Sequence, residues 1–352
     1  MIMNNVKISL VFCCYNVSSY LDDIYSWLRQ QPYENIEVVF VEDCSTDDTK
    51  DKLYSIVNDP RMRIIENKKN MGLSESRNIG LSNVTGEYVG FPDPDDMFAN
   101  DWLVNVAIAA ECKRPEVIIS GMREDYENDN VIEYSKDIVS NYNGLIEDGF
   151  EVALLDLERT MLFGYMNNKL YKTDFLIRNN IICKTMALKE DFDFNIEVFK
   201  RIDVFYIINK PVYFYKKRRN GNTLTSKFVP EYFDIHEKSV FAFIELLENK
   251  SELTNEAQEH LVNRFYRYFL SAVERNMDER STLSLSEQNQ WIKNVLNNPR
   301  YAYFLSRNQL INGKFRYVSF IFRPQASVLL IILARFIKMI KNRSPILFAK
   351  LK

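Results

Sequence analysis

Along the first hundred residues, short apolar runs rich in β-branched and aromatic residues alternate with stretches whose apolar positions recur every three or four residues. The runs at 8–12, 37–41, 63–65 and 88–91 read as strands, and 19–30, 47–57 and 74–84 read as the helices between them. Such alternation predicts an α/β fold, a mostly parallel sheet with helices on its faces, whose ligands bind where the strands end at their carboxyl edge. A helix at 101–110 and a strand at 117–120 extend the pattern. The polar stretch 123–143 reads as an excursion or lid, and extended and helical pieces then alternate to 226. From 230 onward the pattern is helical, which divides the chain into 1–226, a helical region 227–316 and a tail 317–352.

Charge sets the tail apart. The 352 residues are 46% hydrophobic with a net charge of −3, an ordinary globular balance that excludes disordered and collagenous classes. After Glu287, however, the chain carries twelve Lys or Arg and no acid. Within it, 327–340 is apolar nearly all round and then places Arg335 and Lys338 at helical spacing. It is too short and too charged for a span of about 20 apolar residues. Two readings stand: an interfacial helix on an anionic membrane surface, or a C-terminal helix docked on the body's own core.

Five cysteines without C-x-x-C spacing suggest neither a disulfide framework nor a zinc site, which fits a reducing cytoplasm, and the first apolar stretch is too short for a secretory signal. No G-x-G-x-x-G follows the opening strand and no P-loop occurs, so nicotinamide dehydrogenases and P-loop NTPases are disfavoured. His236 and His260 are the sole histidines, both in the helical part and read as structural. Carboxylates must therefore carry the chemistry.

Asp93, Asp95 and Asp96 follow a strand, with Pro92 and Pro94 stiffening the backbone around them. Three neighbouring acids repel one another, a cost that a hard divalent cation, Mn²⁺ or Mg²⁺, removes while keeping positions for substrate phosphates. Asp43, after the second strand, is placed to accept a bond from a nucleobase imide, and Tyr15, after the first, offers a ring for stacking. The structural alternatives are a turn with a helix cap at 43–47, a solvated turn at 93–96, and, for Glu190 and Asp191, the acidic first turn of a helix.

Ile-Ser-Leu-Val-Phe-Cys-Cys-Tyr-Asn at 8–16, Val-Glu-Asp-Cys-Ser-Thr-Asp at 41–47, Asn-Met-Gly-Leu-Ser-Glu-Ser-Arg-Asn at 70–78 and Gly-Glu-Tyr-Val-Gly-Phe-Pro-Asp-Pro-Asp-Asp at 86–96 resemble, in order and spacing, the family 2 glycosyltransferases of the GT-A fold. The likeness continues at Asn168-Lys169-Leu170-Tyr171-Lys172, Lys189-Glu190-Asp191-Phe192 and Pro211-Val212-Tyr213-Phe214-Tyr215, in the manner of bacterial capsule, exopolysaccharide and teichoic-acid transferases, and covers about residues 6–226. It implies a nucleotide-sugar-binding catalytic domain in which Asp43 contacts a uracil imide, Tyr15 borders the base and Arg77 approaches the nucleotide. Asp93 and Asp95 contact the donor, Asp95 and above all Asp96 hold Mn²⁺ or Mg²⁺, and Asp191 is the base with Glu190 its alternate.

Lys216, Lys217, Arg218 and Arg219 read as a loop that closes over a diphosphate or stays exposed. Departures are Glu42 where the family has Asp, Cys44 where it has Gly, and Cys13-Cys14 where Pro and a small residue are common. The implied activity is inverting transfer of a sugar from a UDP-linked donor to a cell-surface glycan or lipid-linked saccharide, on the cytoplasmic face of the membrane, without nucleic acid and with an oligomer left open. A nucleotidyl or phosphoryl transferase, and a binding subunit without turnover, are the alternatives.

Overall fold

The computed structural model describes residues 5–128, 131–218 and 228–343. The chain forms two compact units, Met1–Asn222 and Thr223–Lys352; the boundary expected at 226 itself lies outside the described residues.

The first unit runs β1 (Ile8–Cys14), α1 (Leu21–Arg29), β2 (Ile36–Glu42), α2 (Thr49–Ile56), β3 (Met62–Glu66), α3 (Leu73–Leu81), β4 (Tyr88–Gly90), β5 (Met97–Phe98), α4 (Trp102–Glu111), β6 (Val117–Asn128), β7 (Val131–Ile138), β8 (Gly144–Ile146), α5 (Phe150–Arg159), β9 (Lys169–Lys172), α6 (Thr173–Arg178), α7 (Glu190–Phe199) and β10 (Phe205–Arg218). One sheet of order β3-β2-β1-β4-β9-β6-β10-β5 organises it, with β7 beside β6 and β8 beside β10. Its first four strands are parallel, as the alternation predicts; β9 enters antiparallel and makes the second half mixed. All seven residues of β2 are buried, which is why its apolar run is nearly continuous: helices cover both faces.

Parallel register pairs Cys14 with Glu42, so the segments leaving β1 and β2 emerge side by side at the carboxyl edge. Helix α3 lies so close to β1 that a Cβ on Gly80 would stand 2.3 Å from Val11 Cγ1. That contact requires glycine.

Two expectations are corrected. Most of the stretch 123–143 is a sheet extension, not an irregular lid: β6 continues to Asn128 between β10 and β7, so its backbone is paired on both sides although its side chains are polar. The buried carboxylates there have partners, Glu124 on Lys217 and Asp125 on Arg123. Likewise Lys216, Lys217 and Arg218 are the end of β10 and not a loop; Arg219 lies outside the described residues.

The second unit contains α8 (Tyr232–Glu248), α9 (Asn255–Arg275), α10 (Leu285–Leu296), the short α11 (Ala302–Leu305) and α12 (Ser327–Arg343). Thr254 caps α9 and a Ser284–Glu287 capping box opens α10. Phe233 meets Phe265, Phe269 and Trp291 edge-on, and Phe265 stacks on Phe304 at 4.3 Å. His236 is buried, its Nδ1 2.8 Å from the Tyr232 carbonyl.

Helix α12 packs on α9 and α10 through Leu330, Ile331 and Ala334, while Val328, Leu329, Ile332, Phe336 and Met339 are 41–57% exposed. One face thus docks on the unit's core and the other turns an apolar stripe outward. Among the described residues no helix is long and apolar enough to cross a membrane. Residues 344–352 of the tail lie outside the described ones.

Candidate active site

At the ends of β1 and β2 lies a pair of interlocked turns. Asn16 takes φ +55°, and its Oδ1 accepts from the Thr46 amide at 2.8 Å. Cys44 takes φ +60°, the left-handed region where a side chain is unfavourable, which explains why the family pattern has Gly at this place. The longer Glu42 compensates. Its buried carboxylate accepts from the Cys44 and Ser45 amides at 3.1 and 2.6 Å and so satisfies the donors of the strained turn.

Asp43, 3% exposed, accepts from Asn67 Nδ2 and the Met71 amide at 2.7 Å each and from the Gly72 amide at 2.8 Å. It therefore ties the loop after β3 and the start of α3 to the end of β2. Tyr15 is 45% exposed beside it. Burial pushes the Cys13 thiol up to about 12, so it supplies no thiolate near neutrality.

The acidic residues at 93–96 face different ways. Asp96 is buried: its Oδ2 accepts from the Tyr213 hydroxyl at 2.7 Å and its Oδ1 from the Lys216 amide at 3.1 Å. Burial, reinforced by Asp93 and Asp95, holds its carboxyl well above the usual carboxylate range. The Tyr213 hydroxyl also accepts from the Asp93 amide at 3.1 Å, so β10 locks the loop in place. Asp95 is partly exposed.

Asp93 joins the loop to the rest of the site. Asn167 Nδ2 donates to its Oδ2 at 2.8 Å, and the Arg77 guanidinium lies 3.6 Å from its Oδ1. The same guanidinium, 3% exposed, donates to Asp191 Oδ1 at 2.6 Å, while the Met166 amide donates to Asp191 Oδ2 at 3.1 Å. Each of the two acids is thus held on one oxygen by Arg77 and on the other by residues 166–167. Burial opposes the charge on Arg77, but Asp191 and Asp93 more than offset it and raise its pKa.

Burial, with Asp95 and Asp191 adding and Arg77 subtracting, lifts Asp93 to about 6. Burial and the neighbouring Asp191 also raise Glu190. Next to Arg77 on α3, Asn78 exchanges two bonds with the Cys183 backbone, at 2.9 and 2.8 Å, and so anchors the segment leading into α7, whose first turn carries Glu190 and Asp191.

Acids from three separated stretches thus converge at the carboxyl edge of a sheet, in the chain order of the pattern described above. Residues 9–192 match the family model of Glycosyl transferase family 2. The chain belongs to this family.

As a family 2 glycosyltransferase it is 25% identical over 299 residues to the poly(ribitol-phosphate) beta-N-acetylglucosaminyltransferase TarS of Staphylococcus aureus, a match covering 82% of this chain and 48% of TarS. A cholesterol galactosyltransferase of Borreliella burgdorferi is 25% identical over 275 residues, covering 76% and 74% of the two chains. An uncharacterized glycosyltransferase of Haemophilus influenzae is 28% identical over 237 residues, covering 63% and 68%. The chain spans about half the length of TarS.

Among solved structures, S. aureus TarS 1–349 in complex with UDP-GlcNAc superposes with a TM-score of 0.62 at 20% identity, covering 96% of this chain and 92% of that one. A mannosyltransferase from Pyrobaculum calidifontis in complex with GDP-Man and Mn²⁺ superposes with a TM-score of 0.50 at 11% identity, covering 94% of this chain and 88% of that one. These likenesses establish the GT-A fold.

In this glycosyltransferase Asp93 and Asp191 are joined through Arg77, which bonds to both instead of facing outward, while Asp43 holds the start of α3, the helix that carries Arg77. Met166 and Asn167 are site residues that the sequence pattern leaves unmarked, because one acts through a backbone amide and the other through an ordinary polar side chain, while Tyr213 lay in a quoted motif without a role. Among the described residues no three His, Cys, Asp or Glu side chains converge as a self-sufficient metal cage. The loop instead could hold an ion on one or two carboxylates completed by phosphate oxygens and water; Asp96, expected as the foremost ligand, has both oxygens engaged by the Tyr213 hydroxyl and the Lys216 amide, which leaves the partly exposed Asp95 the more accessible.

Proposed function

We propose that the enzyme transfers a hexose from a nucleotide-diphosphosugar, UDP-linked, to a cell-surface glycan acceptor, with inversion at the anomeric carbon. The observation that carries this reading is the Arg77 bridge: it holds Asp93 of the donor-side loop and Asp191 of α7 on one guanidinium, so donor and base are set relative to each other by a single buried group. Asp43 and Tyr15 receive the base, and Asp93 and Asp95 receive the ribose and diphosphate. When bound, Mn²⁺ or Mg²⁺ on Asp95 and Asp96 neutralises the charge that gathers on the leaving diphosphate. Asp191 takes the proton of the acceptor hydroxyl as that oxygen attacks the face opposite the leaving group, and a single displacement inverts the centre. Glu190 is the alternate base.

TarS, named for N-acetylglucosamine transfer onto poly(ribitol phosphate), supports a teichoic-acid-like or other cell-surface acceptor. Turnover of a panel of nucleotide-sugars, with and without Mn²⁺, tests the reading. Release of nucleoside diphosphate from one donor supports it; nucleoside monophosphate with pyrophosphate would mark a nucleotidyl transferase.

The outward stripe of α12, with the exposed Arg335 beside it, is proposed to rest on the anionic inner face of the cell membrane, where lipid-linked acceptors lie; Lys338 instead donates to the Met277 carbonyl at 3.1 Å. Ile332→Ser with Phe336→Ser leaves the docked face intact. It should abolish flotation with anionic vesicles while leaving the melting temperature unchanged, and retained flotation contradicts the proposal.

A further inference from the structure

Lys169 is fully buried on β9, and nothing in the proposed chemistry uses it. Its Nζ lies 2.6 Å from the Leu162 carbonyl, 3.3 Å from that of Phe163 and 3.1 Å from Asn168 Oδ1, and it also bonds the Tyr165 carbonyl. All four are acceptors. An ammonium offers three donors and needs no acceptor, so this cradle matches the charged form, although burial pushes the group down to about 7. Asp191 is near enough to favour the charge.

Asn195 grips the same carbonyls from the other side. Its Nδ2 donates to Phe163 at 2.8 Å and Tyr165 at 3.0 Å, and its Oδ1 accepts from the Tyr171 hydroxyl at 2.7 Å. Asn195 is fully buried on α7, one helical turn beyond Asp191. The segment held in this way leads directly into Met166 and Asn167, which bond the second oxygens of Asp191 and Asp93.

We infer that Lys169 and Asn195 are positioning residues that pin the 162–167 segment, so that the Met166 amide fixes the direction in which Asp191 presents its carboxylate to the acceptor hydroxyl. This rests on the reading of Asp191 as the base. Arg77 alone would leave that carboxylate free to rotate about its one held oxygen; the second anchor removes the freedom, and a misdirected base loses rate without losing donor affinity.

The test is a double-mutant cycle on the full chain, reading donor turnover. Lys169→Met should lower kcat between about 10- and 100-fold while donor KM stays within about twofold. In an Asp191→Asn background the same change should cost less than about threefold, because its target is gone. Asn195→Ser, which loses the Nδ2 donors, should behave alike if Lys169→Met fails to melt cooperatively.

Equal losses in both backgrounds, an unchanged kcat, or a KM rising in step with the fall in kcat would overturn the inference, as would the failure of both variants to fold. Asp191→Asn that keeps wild-type turnover overturns instead the assignment of the base, a separable result.

Discussion

Replacing Arg77 by Met keeps the aliphatic stem but removes the charge that Asp93 and Asp191 share. Both acids then remain in a site whose central guanidinium was 3% exposed, without the cation that held one oxygen of each. Unpairing a buried charge costs about 3–5 kcal/mol. Because the two carboxylates are themselves 31% and 22% exposed, the lower end, about 3 kcal/mol, is expected here. For a body of this size that corresponds to a fall of roughly 6–12 °C in melting temperature.

The loss should depend on pH, with a sign fixed by Asp93. Its folded carboxyl is raised to about 6 against 3.8 for an ordinary aspartate, so the fold holds that proton between those values and gives it up as pH rises through about 6. Below that point one of the two charges needing Arg77 is absent. Scanning fluorimetry with chelator present should therefore show the full loss near pH 8 and a smaller one near pH 5. A melting temperature within about 2 °C of wild type near pH 8, or an equal loss at both values, refutes the bridge as an electrostatic device.

Further outcomes follow from the same structure. Cys44→Gly removes a side chain from a left-handed position and should stabilise by about 1 kcal/mol in chemical denaturation, whereas Cys44→Val should destabilise. Gly80→Ala puts a methyl group against Val11 and pushes α3, with Arg77 on it, off the sheet; a cost of about 1–3 kcal/mol and a lower kcat are expected, and unchanged stability would contradict the packing. Mn²⁺ without donor should raise the melting temperature, and Asp95→Asn should remove that effect; a variant that keeps it would place the ion elsewhere.

The ends of the first four strands were legible because each combines an apolar run with a polar loop at a spacing that a parallel sheet demands. Asp43 and Asp93 follow from that pattern; Asp191, in the first turn of α7, was marked only by the family resemblance. The direction of Arg77 does not: a basic residue near a phosphate subsite and one buried between two acids look alike in sequence, and its partner Asp191 is 114 residues away. Asp96 was similarly opaque, since its burial depends on the Tyr213 hydroxyl arriving from β10.

The hairpin of β6 and β7 escaped because its side chains are polar, with Glu124 and Asp125 made tolerable inside by Lys217 and Arg123, partners that periodicity cannot reveal. For α12 the docked reading holds for one face, where Leu330, Ile331 and Ala334 are buried; the other face exposes an apolar stripe, and the membrane reading of that stripe stays a proposal.

The central claim, that the donor lies between Asp43 and the Arg77-bridged acids, is tested most directly by crystals of the protein soaked with UDP and Mn²⁺ and measured for the anomalous signal of manganese. The account predicts a peak on the oxygens of Asp95 or Asp96, with the uracil at Asp43 and Tyr15 and the diphosphate between. A peak remote from those carboxylates, or UDP bound away from Asp43, would contradict it.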